Sequence, residues 1–377
     1  MKLLHIADLH LGRRMNDISL QDDQRYMLRQ IADIAAEHSV DAVLIAGDVY
    51  QKASPQSEAM TVFNDFVTEL VALGCRLLVI SGNHDSDQRI SYFSSLIKKS
   101  GVYVSERFEG VLQQVTLQDE YGDVVISLLP FYRPINLKRC YPELKIDNYA
   151  DATRAILDNS PIDNERRNVL LMHQFITGAE LSDSEERTVG GLDNIDGTLF
   201  DEFDYVALGH IHKPQRICRD TMRYAGSPIK YSLSEAAHKK SVALVELKEK
   251  GRVEIETIPI RAQHDVRIIS GSLEEILEMP YSEDYVQAIV TDEFVPPDAR
   301  VRITTVFPNM IKYSVNNSKT KTDVDVLAKD AVESKDVIEL FRDFYMLQSN
   351  GVEPTEEQIK LIDELLKEIR EDRCEAD

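Results

Sequence analysis

The sequence predicts an α/β protein built of sheet layers covered by helices, followed by a small α+β unit and a C-terminal pair of helices. Three observations carry this reading. Short uninterrupted apolar runs of strand length recur through the first half of the chain. Segments with a helical apolar period lie between the first three of them. Short polar motifs rich in Asp, Asn and His stand at the C-terminal ends of five runs.

In chain order, residues 2–7, 42–46, 76–81, 124–129, 169–172 and 205–208 read as buried strands. Met27, Ile31 and Ile34 share one face of the first intervening helix; Val62, Phe66 and Leu70 share one face of the second. Strand–helix–strand alternation implies right-handed crossovers and helices laid over the sheets. Residues 241–247 and 252–260 flank Lys248-Glu249-Lys250-Gly251 and predict a β-hairpin. Strands at 265–269, 285–290 and 310–315, with a short helix at 273–277, predict the α+β unit. From 333 onward two helices are expected, broken at Ser349-Asn350-Gly351 and Pro354, with Thr355 and Gln358 forming a capping box. The expected domains are 1–262, 263–330 and 331–377.

Composition bounds the function. The chain has 377 residues, 43% hydrophobic and 29% charged, an ordinary globular balance with length for two or three domains. No apolar run reaches 18 residues, and Met1-Lys2-Leu3-Leu4-His5 is charged too early for a signal peptide, so a cytoplasmic protein without membrane contact is expected. Cys75, Cys140, Cys218 and Cys374 are too scattered for a zinc ribbon or a disulfide framework. The net charge of −22 opposes a broad nucleic-acid or membrane surface. The charge is uneven, however: residues 333–377 hold 14 acidic and 6 basic side chains, whereas 213–240 hold seven basic and two acidic ones.

The chemistry lies at the strand ends, where open α/β sheets place their sites. The five ends read Asp8-Leu9-His10, Gly47-Asp48, Gly82-Asn83-His84-Asp85, His173 and Gly209-His210-Ile211-His212. Asp8 and His10, like His210 and His212, are two apart, so in extended backbone each pair points to one face. Glycines before Asp48, Asn83 and His210 permit sharp turns and close backbone approach. Carboxylate, imidazole and one amide oxygen without thiolate suit manganese, iron or zinc better than calcium or a structural zinc site. Seven such ligands can hold two ions if Asp48 bridges them, an arrangement that clamps both oxygens of an in-line phosphoryl displacement. His5 and His38 end no strand beside such residues and read as packing or surface histidines.

These motifs resemble those of the calcineurin-type metallophosphoesterases. The flanking segments Leu4-His5-Ile6-Ala7-Asp8-Leu9-His10-Leu11-Gly12, Pro130-Phe131-Tyr132-Arg133-Pro134 and Gly226-Ser227-Pro228 are similar to the bacterial DNA-nuclease branch of that family. The resemblance covers residues 1–260 closely and the tail by layout. It implies a β-sandwich flanked by helices (αββα layers), with the α+β unit as a cap. It also implies that Asp8, His10, Asp48 and His212 hold one metal, and Asp48, Asn83, His173 and His210 the other. His84 matches the family's catalytic histidine, and Asp85 is expected either to orient that ring or to cap a helix. Archaeal and eukaryotic relatives carry a second histidine shortly after Gly-Asp; here Val49-Tyr50-Gln51-Lys52 follows, so support for His84 must come from elsewhere.

The resemblance further implies two Mn²⁺ ions, with Mg²⁺ or other divalent ions as substitutes. The expected activity is a 3′-to-5′ duplex exonuclease and a single-strand and hairpin endonuclease serving DNA repair and recombination. A small-molecule phosphodiesterase and a metal-binding adaptor are the alternatives. The implied partner is an ATP-hydrolysing coiled-coil subunit, joined by a homodimer of this chain in a heterotetramer; no Gly-x-x-x-x-Gly-Lys-Ser/Thr loop occurs here for ATP. Arg13, Arg14, Lys213, Arg216, Arg223 and Lys230 are the candidate DNA contacts, because they follow ligand motifs or lie in the basic stretch. Val337, Phe341, Phe344, Ile359, Ile362, Leu366 and Ile369 form apolar helical stripes and are the candidate partner contacts.

Overall fold

The structure is a computed structural model that describes residues 1–182, 185, 195–317, 337–348 and 353–362. Two compact units emerge, one comprising Met1–Val290 with Val295–Ser314, the other Thr291–Phe294 with Val315–Asp377.

The strands of the first unit run in chain order β1 (Lys2–Ile6), β2 (Arg14–Met15), β3 (Ile18–Ser19), β4 (Ala42–Ala46), β5 (Arg76–Ile80), β6 (Val102–Val104), β7 (Gln113–Asp119) and β8 (Gly122–Leu129). They continue as β9 (Arg167–His173), β10 (Tyr205–Gly209), β11 (Gln215–Ile217), β12 (Arg219–Tyr224), β13 (Ser241–Leu247) and β14 (Val253–Pro259). Beyond residue 262 the chain adds β15 (Val266–Gly271), β16 (Tyr285–Val290) and β17 (Met310–Val315).

Two six-stranded sheets form, ordered β14-β13-β1-β4-β5-β6 and β11-β12-β10-β9-β8-β7. Strands β1, β4, β5 and β6 pair in parallel through crossovers that carry the helices α1 (Gln21–Glu37) and α2 (Ser57–Ala72). Met27 and Ile31 of α1 and Val62, Phe66 and Leu70 of α2 bury against Leu4, Val43 and Leu77 on the outer face of this sheet. Leu3, Leu44, Leu78, Ile126, Leu171 and Ala207 fill the layer between the sheets. The outer face of the second sheet is covered by Leu137, Ala152 and Ile156 from the helices Pro134–Cys140 and Tyr149–Asp158. The architecture is therefore helix–sheet–sheet–helix, with each sheet too apolar on both faces to meet water.

The strands β7, β11 and β12 escape a reading by apolar run. β7 buries only Val115 and Leu117 in alternation, and in β12 the alternating Met222 and Tyr224 are masked by Arg219, Asp220 and Arg223. The expected hairpin is present as β13 and β14, paired antiparallel from Ser241↔Pro259 to Leu247↔Val253. The small sheet β15-β16-β17 packs the helices Leu273–Leu277 and Ala299–Thr304 over Val286, Ala288 and Val290.

In the second unit, the helix Val337–Gln348 and helical residues 356–362 match the expected pair as far as they are described. The capping box forms: Gln358 N–H donates to Thr355 Oγ1 at 3.3 Å, and Thr355 N–H to Gln358 Oε1 at 2.9 Å. Phe344 and Leu361 are 62% and 57% exposed, whereas Phe341, Ile359 and Ile362 are partly covered. Leu366 and Ile369, and the side chain of Val337, lie outside the described residues. Among the described residues no helix is long and apolar enough to cross a membrane.

Candidate metal centre

All five polar motifs converge on one edge of the sandwich. Asp8 and His10 leave β1, Asp48 leaves β4, Asn83 and His84 leave β5, His173 ends β9, and His210 and His212 leave β10. Candidate ligands thus come from both sheets. The backbone there is unusual: Asp8, His10, Asp48 and His210 have φ of 54°, 42°, 49° and 101°. Non-glycine residues in this region cost on the order of 1–3 kcal/mol each and persist only where surroundings over-determine them. Here the surroundings do. Asp8 N–H donates to the Gly47 carbonyl at 3.1 Å, His10 N–H to the Asp48 carbonyl at 2.9 Å, and His210 N–H to Asp8 Oδ1 at 3.0 Å.

The glycines before the ligands are required by space. A Cβ on Gly47 would lie 2.3 Å from His173 Nδ1, one on Gly82 2.1 Å from Asp48 Oδ1, and one on Gly209 1.8 Å from the Ala46 carbonyl oxygen. Close backbone approach between the sheets is what lets the ligands meet.

Two groups of donor atoms result, with Asp48 between them. On one side His10 Nε2 lies 3.0 Å from His212 Nε2, and Asp8, His10 and His212 offer donors within 4.8 Å of one another. On the other, Asn83 Oδ1 lies 3.0 Å from His173 Nε2 and 3.1 Å from His210 Nδ1. Asp48 Oδ2 is 3.6 Å from His10 Nε2 and 3.4 Å from His173 Nε2, in reach of both groups. Asp8, His10, Asp48, His173 and His212 are buried; Asn83, His84 and His210 are half-buried at the mouth.

The electrostatics describe a site short of positive charge. Burial pushes the Asp8 carboxyl up to about 7, with Asp48 adding to the effect and His173 and His212 opposing it. Burial acts on Asp48 in the same direction, but His173, His10 and His84 outweigh it and hold that carboxyl well below the usual range. Burial lowers His173 too, but Asp48 prevails and raises the ring to about 9, so a proton there offsets the buried carboxylates. Burial pushes His10 well down and His210 down to about 3, which leaves both rings neutral as ligands must be. His173 Nδ1 donates to the Ala46 carbonyl at 2.7 Å, and His212 Nδ1 to Glu235 Oε1 at 3.2 Å, which turns each Nε2 inward. The donor set fits divalent cations.

His84 is held in a way the sequence did not indicate. Its Nδ1 donates to the Gln51 carbonyl at 3.1 Å, and its ring meets His10 edge-on with centroids 4.9 Å apart. Asp85 neither orients this ring nor caps the helix. Its carboxylate accepts from the N–H groups of Val49 (3.1 Å), Tyr50 (2.9 Å) and Gly82 (2.9 Å), tying the Asp48 loop to the Asn83 loop; Ser86 is the residue at the helix N-cap.

The candidate DNA contacts separate into two groups. Arg13 lies over the Tyr231 ring at 5.1 Å and donates to Gln51 Oε1, and Arg14 donates to the Asp17 carbonyl. Together with Lys52, a residue the sequence reading passed over, they line a cleft of about 340 Å³ whose described lining residues include no acidic side chain. The basic stretch after His212 is largely neutralised instead. Lys213 pairs with Glu180, Arg216 with Asp220 at 2.6 Å, and Lys230 with Asp265 at 2.9 Å. Arg223 pairs in register with Ala207, a residue of the layer between the sheets, and its charge acts on buried His5. A charge sum along the chain could not reveal these partners.

The fold and the metal-competent site define a phosphoesterase. Residues 1–214 match the calcineurin-like phosphoesterase family model, and the chain belongs to that family. Residues 262–349 match the model described as the type 5 capsule protein repressor C-terminal domain. The chain is similar to the SbcD subunit of the SbcCD nuclease of Staphylococcus epidermidis, 28% identical over 341 residues, 88% of this chain and 90% of that protein. It is likewise similar to the SbcD subunit of the same nuclease in Staphylococcus saprophyticus, 29% identical over 319 residues, 82% of this chain and 84% of the relative. Among solved structures, a dimetal phosphatase from Danio rerio matches 69% of this chain and 99% of its own at 12% identity and a TM-score of 0.36.

Proposed function

We propose that this chain is the nuclease subunit of an SbcCD-type complex, cutting DNA phosphodiesters at a dinuclear centre filled by Mn²⁺. The observation that carries the reading is Asp48, whose Oδ2 lies within 3.6 Å of imidazoles from both donor groups. Asp8, His10, Asp48 and His212 would hold one ion, and Asp48, Asn83, His173 and His210 the other. Bound there, the ions supply Lewis acidity and a water activated for in-line attack. The chain's own groups do the rest. His84, anchored at Nδ1 by Gln51, uses Nε2 to stabilise or protonate the departing oxygen. Asp85 keeps the two ligand loops at fixed separation. Arg13, Arg14 and Lys52 neutralise backbone phosphates beside the centre. Both Staphylococcus relatives are named as subunits of SbcCD, which supports an SbcC-type ATPase as partner, reached through the C-terminal helices.

The test compares labelled duplex, hairpin and single-stranded DNA with a nitrophenyl phosphodiester, with and without chelator and SbcC. The expected result is DNA cleavage that stops with chelator and returns best with Mn²⁺. Cleavage of the small diester alone would replace this reading with a small-molecule phosphodiesterase. Metal binding without any cleavage would replace it with an adaptor.

A further inference from the structure

Behind His212 lies a buried charged pair that the proposed chemistry does not use. Glu235 is fully buried and Lys240 nearly so, 2.5 Å apart. Glu235 Oε1 accepts from His212 Nδ1 at 3.2 Å. Lys240 Nζ donates to the His212 carbonyl at 2.8 Å and to Ser227 Oγ at 2.7 Å. Ser227 N–H also donates to the His212 carbonyl, at 3.1 Å. The Gly226-Ser227-Pro228 turn therefore closes the network, and its tightness demands glycine. Gly226 has a φ of 75°, and a Cβ there would lie 2.6 Å from Pro214.

We propose that Glu235, clamped by Lys240, is a positioning residue for His212 and makes the Asp8–His10–His212 side of the centre the tighter of its two metal sites. The proposal rests on the dinuclear reading above. The two sides differ in charge. His212 donates to a carboxylate, whereas His173 donates to the neutral Ala46 carbonyl. An anionic partner makes an imidazole a stronger donor and fixes its tautomer. The ligands repeat the difference: Asp8 stands on one side and the neutral Asn83 amide on the other, with Asp48 shared. The cost of burying Glu235 is met by Lys240. Removing one member of such a pair leaves the other charge uncompensated, so a variant that preserves shape is required.

The test uses the full chain, stripped of metal and titrated with Co²⁺ alone, followed by calorimetry and visible absorption. Wild type is expected to fill two unequal sites in sequence. Glu235→Gln should weaken the first-filled site by about 10–100-fold, shift the absorption band of that ion and leave the second site unchanged. Glu235→Gln/Lys240→Met removes both charges at similar volume and carries the same expectation should the single variant fail to fold. Wild-type affinities and spectrum in the folded variants would overturn the proposal and leave the pair a packing feature. Loss confined to the second-filled site would also overturn it. A wild-type chain that takes up no second ion would overturn the dinuclear reading itself, before any variant is compared.

Discussion

The Nδ1 of His84 donates to the main-chain carbonyl of Gln51, three residues after Asp48. A backbone atom thus anchors this ring. It fixes the tautomer and leaves Nε2 for chemistry, from within the stretch Val49-Tyr50-Gln51-Lys52 that carries no histidine.

His84→Gln is accordingly expected to lower turnover about 10²–10⁴-fold while both ions remain bound. Single-turnover cleavage beside a metal titration checks this. Loss of an ion in His84→Gln would make the ring a ligand. Asp85→Ala should act differently, through stability, because three N–H groups lose their shared acceptor.

Gly209→Ala is expected to be among the most damaging single methyl additions. The new Cβ would meet the Ala46 carbonyl oxygen at 1.8 Å and His173 Nδ1 at 2.9 Å, both rigidly placed. The sheets would have to part at the ligand edge, costing more than about 3 kcal/mol. Urea unfolding would measure it. Gly251→Ala isolates the backbone cost alone, on the order of 1–2 kcal/mol, since its φ is 83° and nothing among the described residues lies within 4 Å of the added Cβ.

Asp119 gives a pH dependence of stability. Burial would raise its carboxyl, but the Arg167 guanidinium and the Met1 ammonium hold it well below the usual carboxylate range. A carboxyl lowered by folding stabilises above its unfolded pKa of about 4 and loses that contribution as pH falls toward the folded value. The stability gap between wild type and Asp119→Asn should therefore be full at pH 6 and shrink below pH 4. A gap unchanged between pH 6 and pH 3 would contradict the assignment.

Phe344 and Leu361 expose large apolar side chains on acidic helices. Phe344→Asp with Leu361→Asp should abolish co-purification with SbcC and ATP-dependent cutting of duplex ends, while metal binding and single-strand cleavage persist. Undiminished complex formation would refute docking through these helices.

The convergence of the candidate ligands was legible because strand ends, glycines and two-residue spacings are local signals: Asp8-x-His10 shows a strand end and the spacing, and Gly209 adds the third signal at His210-x-His212. The support around the ligands was not. The Gln51 carbonyl is an atom every residue owns, so no side chain marks it. Glu235 and Lys240 lie in a basic stretch whose sum conceals that they are buried partners. The pairing of Lys230 with Asp265 was hidden for the same reason, since charge counting along the chain does not reveal which cations have a partner. The strand β12 was hidden because arginines occupy its other face.

His10 and His212 touch through their Nε2 atoms although 202 residues separate them. At a synthesis rate of 5–20 residues per second, roughly 10–40 s pass between the emergence of one and of the other. For most of that interval the chain holds Asp8, His10, Asp48 and Asn83, but β1 still lacks its neighbour β13, and of the second sheet's donors only His173 emerges well before His210 and His212. A nascent chain therefore owns half a cutting edge and cannot use it. The dispersal of the centre across both sheets works as a timer, withholding nuclease competence until the sandwich has closed.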